Sequence, residues 1–171
     1  MRSGSEGPSG ASGGPAKPGI GYTNIAHPRP APKFELPNSQ GKIFKLKELQ
    51  GKPVIVHFWA SWCPPCIEEI PAWLEFTTRW KDKGLGFVAV SLDQNWADAH
   101  KILPDTRVPA HVISVLDAES TLPDGFGTYQ YPETYLLDSQ HKIVSKWVGP
   151  QDWEHPSILA ALTQALSQRK P

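Results

Sequence analysis

Cys63 and Cys66 are the only cysteines in the 171-residue chain, and two prolines separate them. A Cys-x-x-Cys pair serves metal ligation, haem attachment or thiol–disulfide exchange. Haem attachment needs a histidine directly after the second cysteine, and Ile67 stands there instead. A structural zinc site needs two further ligands, and neither another cysteine pair nor a close histidine pair supplies them. Exchange needs one thiol that ionises readily and a second held behind it. A helix starting at the pair meets that need, because its positive end favours a thiolate on the first cysteine. Pro64 fits the first helical position, where its missing N–H would have no partner anyway. Cys63 is therefore expected as the exposed attacking thiol at the helix cap, and Cys66 as the shielded resolving thiol one turn in.

The flanking patterns supply such a helix. Val54-Ile-Val-His-Phe-Trp59 is a near-continuous apolar run, the mark of a strand covered on both faces. A helix follows over about 64–81, with Cys66, Ile70, Trp73, Thr77 and Trp80 on one stripe. Leu85–Ser91 is a second buried strand, and strand–helix–strand order implies a right-handed parallel crossover. Upstream, Phe34–Leu36 and Lys42–Leu46 alternate around Asn38–Gly41 and predict a short hairpin. Residues 93–130 are less patterned, with a short helix near 95–103, a strand at 112–116 and turns or a weak helical turn at 122–127. A strand at 132–137, its antiparallel partner at 142–148 and a helix at about 153–168 close the chain. The fold class is α/β, a central mixed sheet flanked by helices.

Composition sets the outer limits. Lys plus Arg and Asp plus Glu both number 17, which argues against a partner held mainly by charge, such as nucleic acid or an anionic membrane. No apolar run reaches the 18 or so residues that a bilayer span requires. Residues 1–32 hold seven Gly, six Pro and four Ser, too little apolar surface to offset the entropy of ordering. They are expected to be a disordered leader, either a natural tether or the remnant of a removed anchor, with one domain over 33–171. The leader lacks the apolar stretch of a signal peptide.

Val54 through Trp62-Cys-Pro-Pro-Cys66 resembles the strand-to-helix active site of the thioredoxin superfamily. Glu69-Ile-Pro71, Tyr131-Pro-Glu-Thr134 leading into Tyr-Leu-Leu-Asp138, and the Phe34-to-Lys52 front end are similar to the TlpA/ResA/DsbE-like thiol:disulfide oxidoreductases. That likeness covers about 34–168. It implies a thioredoxin-like fold with an N-terminal β-hairpin and central insertion, using a Cys63–Cys66 disulfide and no other cofactor. It also implies a cis Pro132 facing the cysteines, with the Tyr131 backbone pairing to a substrate strand. Trp62, Pro64, Pro65, Tyr131 and Pro132 then make the substrate face, and Glu69 is the active-site glutamate.

Spacing alone leaves Glu69 two readings: a solvated helix residue, or a carboxyl one turn beyond Cys66 that takes its proton. His57 occupies the position where thioredoxins proper carry a buried aspartate. It either relays a proton or is a core histidine satisfied by backbone or Glu69. Trp59, Trp73 and Trp80 read as core, and His100, His111, His141 and His155 as scattered surface or structural groups. Pro64 and Pro65 remove two N–H donors that would otherwise solvate a Cys63 thiolate, leaving mainly the Cys66 amide. A thiol less acidified than in strong oxidants, where pKa falls to about 3.5, favours the disulfide product and hence a reductant.

The expected partners are a disulfide-containing exported protein, with apocytochrome c the best single guess, and an upstream membrane thiol reductant. The protein is expected to be an extracytoplasmic, membrane-tethered monomer. Its rivals are a Cu(I)-binding module using both cysteines and a downstream histidine, and a redox-dead scaffold. A peroxidase would carry a Thr-x-x-Cys pattern that is missing here.

Overall fold

The structure is a computed structural model describing residues 21–169. Eight strands are present: β1 (Gly21–Pro30), β2 (Glu35–Pro37), β3 (Ile43–Lys45), β4 (Val54–Trp59), β5 (Gly86–Ser91), β6 (Val112–Leu116), β7 (Glu133–Leu137) and β8 (Lys142–Val148). The α-helices are α1 (Pro64–Trp80), α2 (Trp96–Ile102), α3 (Leu122–Phe126) and α4 (Pro156–Ser167). Six strands form one mixed sheet in the order β1-β8-β7-β4-β5-β6, and β2 with β3 makes a separate hairpin. This is the α/β class that the sequence pattern implies, in the thioredoxin-like arrangement that the family resemblance implies.

Each residue of β4 is buried, as its β-branched and aromatic composition requires of a central strand. It runs parallel to β5 and antiparallel to β7. Helix α1 lays Cys66, Glu69, Ile70, Trp73, Phe76 and Thr77 against the sheet. Trp80 is only partly buried at the rim of that stripe. The chain leaves the helix through Gly84, whose φ of 87° is cheap for glycine alone. Antiparallel pairing of β4 with β7 sets His57 opposite Thr134 and Phe58 opposite Glu133. The site is built on that rigid seam and the first turn of α1.

The expected leader needs correction in part. Residues 1–20 lie outside the described residues, but 21–30 form β1, the sheet's edge strand. Their composition carries few apolar groups because the strand needs few. It is held by the backbone ladder to β8 and by Tyr22, stacked on the buried Trp147 at 5.8 Å. Arg29 adds hydrogen bonds to the carbonyl oxygens of Gly125 and Phe126, at 3.2 and 2.6 Å. Among the described residues no helix is long and apolar enough to cross a membrane.

Candidate active site

The turn from β4 into α1 is held from below by a buried carboxylate. Asp93 accepts hydrogen bonds from the Ser61 amide at 3.1 Å, the Ser61 hydroxyl at 2.5 Å and the Ser91 hydroxyl at 2.7 Å. Cys63 is the N-cap of α1, and Pro64 and Pro65 occupy the first two helical positions. The Cys66 amide donates to the Cys63 sulfur at 3.4 Å, the one donor expected once both prolines are in place. The two cysteines are joined as a disulfide, with their Cα atoms 5.3 Å apart.

Cys63 is less open than the sequence suggests. It is 6% exposed and Cys66 0%, so the difference between the two sulfurs survives but is small. Cys63 is bonded to the fully buried Cys66. Trp62 is 61% exposed beside it, and Pro64 and Pro65 are exposed on the same helix start. The Tyr131–Pro132 peptide bond is cis. Tyr131 meets Trp62 edge to face, ring centroids 5.9 Å apart, which brings the loop before Pro132 to the lip of the disulfide.

Behind Cys66 lies a closed pocket. Glu69, one helical turn further on, shares its face of α1 and is only 5% exposed, which removes the solvated reading. One carboxyl oxygen accepts the Gln151 amide at 2.5 Å, and the other lies 3.6 Å from His57 Nε2, beyond hydrogen-bond reach. Burial drives the Glu69 pKa from about 4.5 up to about 8, with the Gln151 amide and the nearby Trp153 indole pulling it part-way back. His57 is fully buried, stacked on Trp73 at 4.6 Å and edge-on to Trp153 at 6.4 Å. Burial lowers its pKa from 6.5 to about 3, so it is neutral at physiological pH. Its Nδ1 pairs with Thr134 Oγ1 at 2.8 Å, a contact made by the β4–β7 register. His57 is thus held at Nδ1 by a threonine hydroxyl, not by backbone or Glu69, and its Nε2 faces the Glu69 carboxyl without a hydrogen bond.

Gln151, Trp153 and Thr134 complete this cluster; Thr134 closes the Tyr131–Thr134 motif, whereas nothing in the local sequence marks Gln151 or Trp153. They arrive from the segment after β8 and from the strand facing β4. Trp59 and Trp73 are core, as their spacing predicts. His100, His111, His141 and His155 pair locally with Asp105, Thr77, the Leu49 carbonyl and Ser157. Among the described residues no group of three or more His, Cys, Asp or Glu side chains gathers into a cluster that would hold a metal ion.

Comparison with known proteins agrees with this geometry. A model of the AhpC/TSA family matches residues 28–146. The thiol:disulfide interchange protein DsbE of Pseudomonas aeruginosa is 37% identical over 126 residues, 72% of this chain and 67% of that protein. The thiol-disulfide oxidoreductase ResA of Bacillus subtilis is 30% identical over 129 residues, 75% of this chain and 71% of its own. A crystal structure of a DsbE thiol:disulfide interchange protein from Chlorobium tepidum superposes with a TM-score of 0.71 at 33% identity. It covers 81% of this chain and 96% of its own.

Proposed function

The chain belongs to the AhpC/TSA family and is a thiol:disulfide oxidoreductase similar to DsbE and ResA; from that premise we propose that it reduces the disulfides of exported proteins, using Cys63 as nucleophile and Cys66 as resolving thiol. The Cys63 thiolate attacks one sulfur of the substrate disulfide. A mixed disulfide forms and the other substrate sulfur leaves as a thiolate, which takes a proton from solvent. The Cys66 thiol then gives its proton to Glu69, which near neutral pH must first have lost its own, and attacks the Cys63 sulfur. The second substrate sulfur departs, two electrons have passed to the substrate, and the Cys63–Cys66 disulfide remains.

Burial makes Glu69 suited to this step. An exposed carboxylate is too weak a base for a thiol of ordinary pKa about 8.5, whereas Glu69 at about 8 is closely matched to it. His57 lines the far side of the same carboxyl and, being neutral, keeps that side of the site uncharged, so the proton stays on Glu69. Trp62, Pro64, Pro65, Tyr131 and Pro132 form the surface on which the substrate strand lies, pairing with the Tyr131 backbone. The observation that supports this reading best is the capped disulfide at the start of α1 beside a cis proline loop.

The single donor to the Cys63 sulfur favours the reducing direction. The oxidised pair is then restored by a membrane-embedded thiol donor, and the reaction belongs on the extracytoplasmic side, carried out by a monomer. Apocytochrome c, with its Cys-x-x-Cys pair, is the substrate of choice. An insulin-reduction assay tests the assignment. Cys63→Ser lowers the rate by at least about 1,000-fold, as loss of a covalent nucleophile does; retained activity would refute the role. An oxidised Cys-x-x-Cys-His peptide should be reduced faster than insulin, and the reverse order would remove the cytochrome reading.

A further inference from the structure

The loop that ends in the cis proline encloses a polar ring. Lys146 stands opposite Tyr135 in the β7–β8 ladder and points to the loop side of the sheet. Its ammonium donates to the Gly127 carbonyl at 2.8 Å and lies 3.3 Å from the carboxylate of Glu133. Glu133 follows Pro132 directly and is fully buried, so one ammonium joins the two ends of the loop. The other Glu133 oxygen accepts the Tyr135 hydroxyl at 3.1 Å, and Tyr135 in turn pairs with the Thr128 hydroxyl at 2.9 Å. Thr128 adjoins Gly127, which closes the circuit. The exposed Tyr129 ring lies 4.4 Å from the ammonium. Arg29, from β1, holds the two preceding carbonyls, Gly125 and Phe126.

We propose that Lys146, backed by Arg29, is a positioning residue that fixes the Gly127–Glu133 loop so that the Tyr131 backbone is presented to a peptide disulfide. The inference rests on the reading of Tyr131 as the substrate-pairing residue and deepens it. Burying the carboxylate of an ion pair is an expensive way to gain stability alone, since apolar side chains of similar volume do as well. What the pair supplies is direction, with each hydrogen bond in the ring set by the next. A substrate that docks along the backbone needs that shape, whereas a small disulfide with no backbone does not. Lys146 therefore separates peptide disulfides from small ones, acting on docking and leaving the sulfur chemistry alone.

The experiment compares kcat/KM for an oxidised Cys-x-x-Cys peptide with that for 2-hydroxyethyl disulfide. Lys146→Met should lower the ratio about tenfold, through KM for the peptide more than through kcat. The equilibrium of the Cys63–Cys66 pair with glutathione should stay where it was. Lys146→Arg should restore most of the ratio, and Arg29→Gln should reduce it about threefold. Should Lys146→Met fail to fold, Glu133→Gln/Lys146→Met removes both charges together and carries the same expectation. An unchanged ratio in a folded variant would overturn the proposal. So would equal losses on both substrates together with a shifted glutathione equilibrium, the mark of a structural role. Failure of the parent reading is seen separately, as a wild-type protein that shows no preference for the peptide over 2-hydroxyethyl disulfide.

Discussion

Two glutamates beside this active site are both shut away from water, Glu69 at 5% exposure and Glu133 at 0%, and they keep different company. Glu69 faces an amide, an indole and a histidine that burial holds neutral. With no neighbouring ammonium to hold its charge, its proton affinity climbs to about 8. Glu133 has the Lys146 ammonium at 3.3 Å and a tyrosine hydroxyl on its other oxygen. Burial alone therefore decides little. A neutral pocket turns a carboxyl into a proton carrier, whereas a paired cation turns it into a fastening for a loop.

The contrast breaks hardest at Lys146. Lys146→Met strands a carboxylate in a dry site and should cost about 3–5 kcal/mol of folding stability, measured by urea unfolding. Glu133→Gln/Lys146→Met should recover most of that loss, because the stranded charge is gone. Glu69→Gln is expected to act in the opposite direction. At pH 8 it should stabilise the oxidised protein by on the order of 4 kcal/mol, since the amide cannot ionise and so removes the advantage that ionisation gives the unfolded chain.

The pH dependence sharpens the point. Folded Glu69 keeps its proton up to about 8, while the unfolded group releases it near 4.5, so the folded chain binds more protons across that window and stability falls as pH rises through it. His57 behaves oppositely: the unfolded ring is protonated below 6.5 and the folded one only below about 3, so stability falls as pH drops between them. Together they give a level stretch between 4.5 and 6.5 with a decline on each side. Thermal melts of the oxidised protein should show it, and Glu69→Gln should remove the alkaline decline. The smallest effect belongs to an exposed pair. Arg79 lies 2.6 Å from Glu154 with both side chains about half exposed, and Arg79→Ala should change stability by less than about 1 kcal/mol.

Where local pattern and tertiary need coincide, the sequence was a good guide. The apolar run at 54–59, the Cys-Pro-Pro-Cys helix start and the position of Glu69 one turn on follow from periodicity and helix chemistry. Strand β1 did not follow, because an edge strand can be held by backbone pairing and two or three side chains, and composition registers neither. The lid over Glu69 comes from Gln151, 82 residues away in sequence, and contributes a backbone amide that carries no residue signature. Lys146 reads as the solvent-facing residue of an alternating strand, since only the loop folding beside it half-buries the cation. A helix-cap position predicts an open Cys63, whereas its low exposure depends on packing around the disulfide that local sequence does not register.

Trapping with Cys66→Ala tests the exchange most directly. Incubated with an oxidised Cys-x-x-Cys peptide, this variant should accumulate a stable mixed disulfide, and mass spectrometry of the digest should place the link on Cys63. A link that forms on Cys66 in the Cys63→Ala variant, with none on Cys63 in Cys66→Ala, would contradict the account.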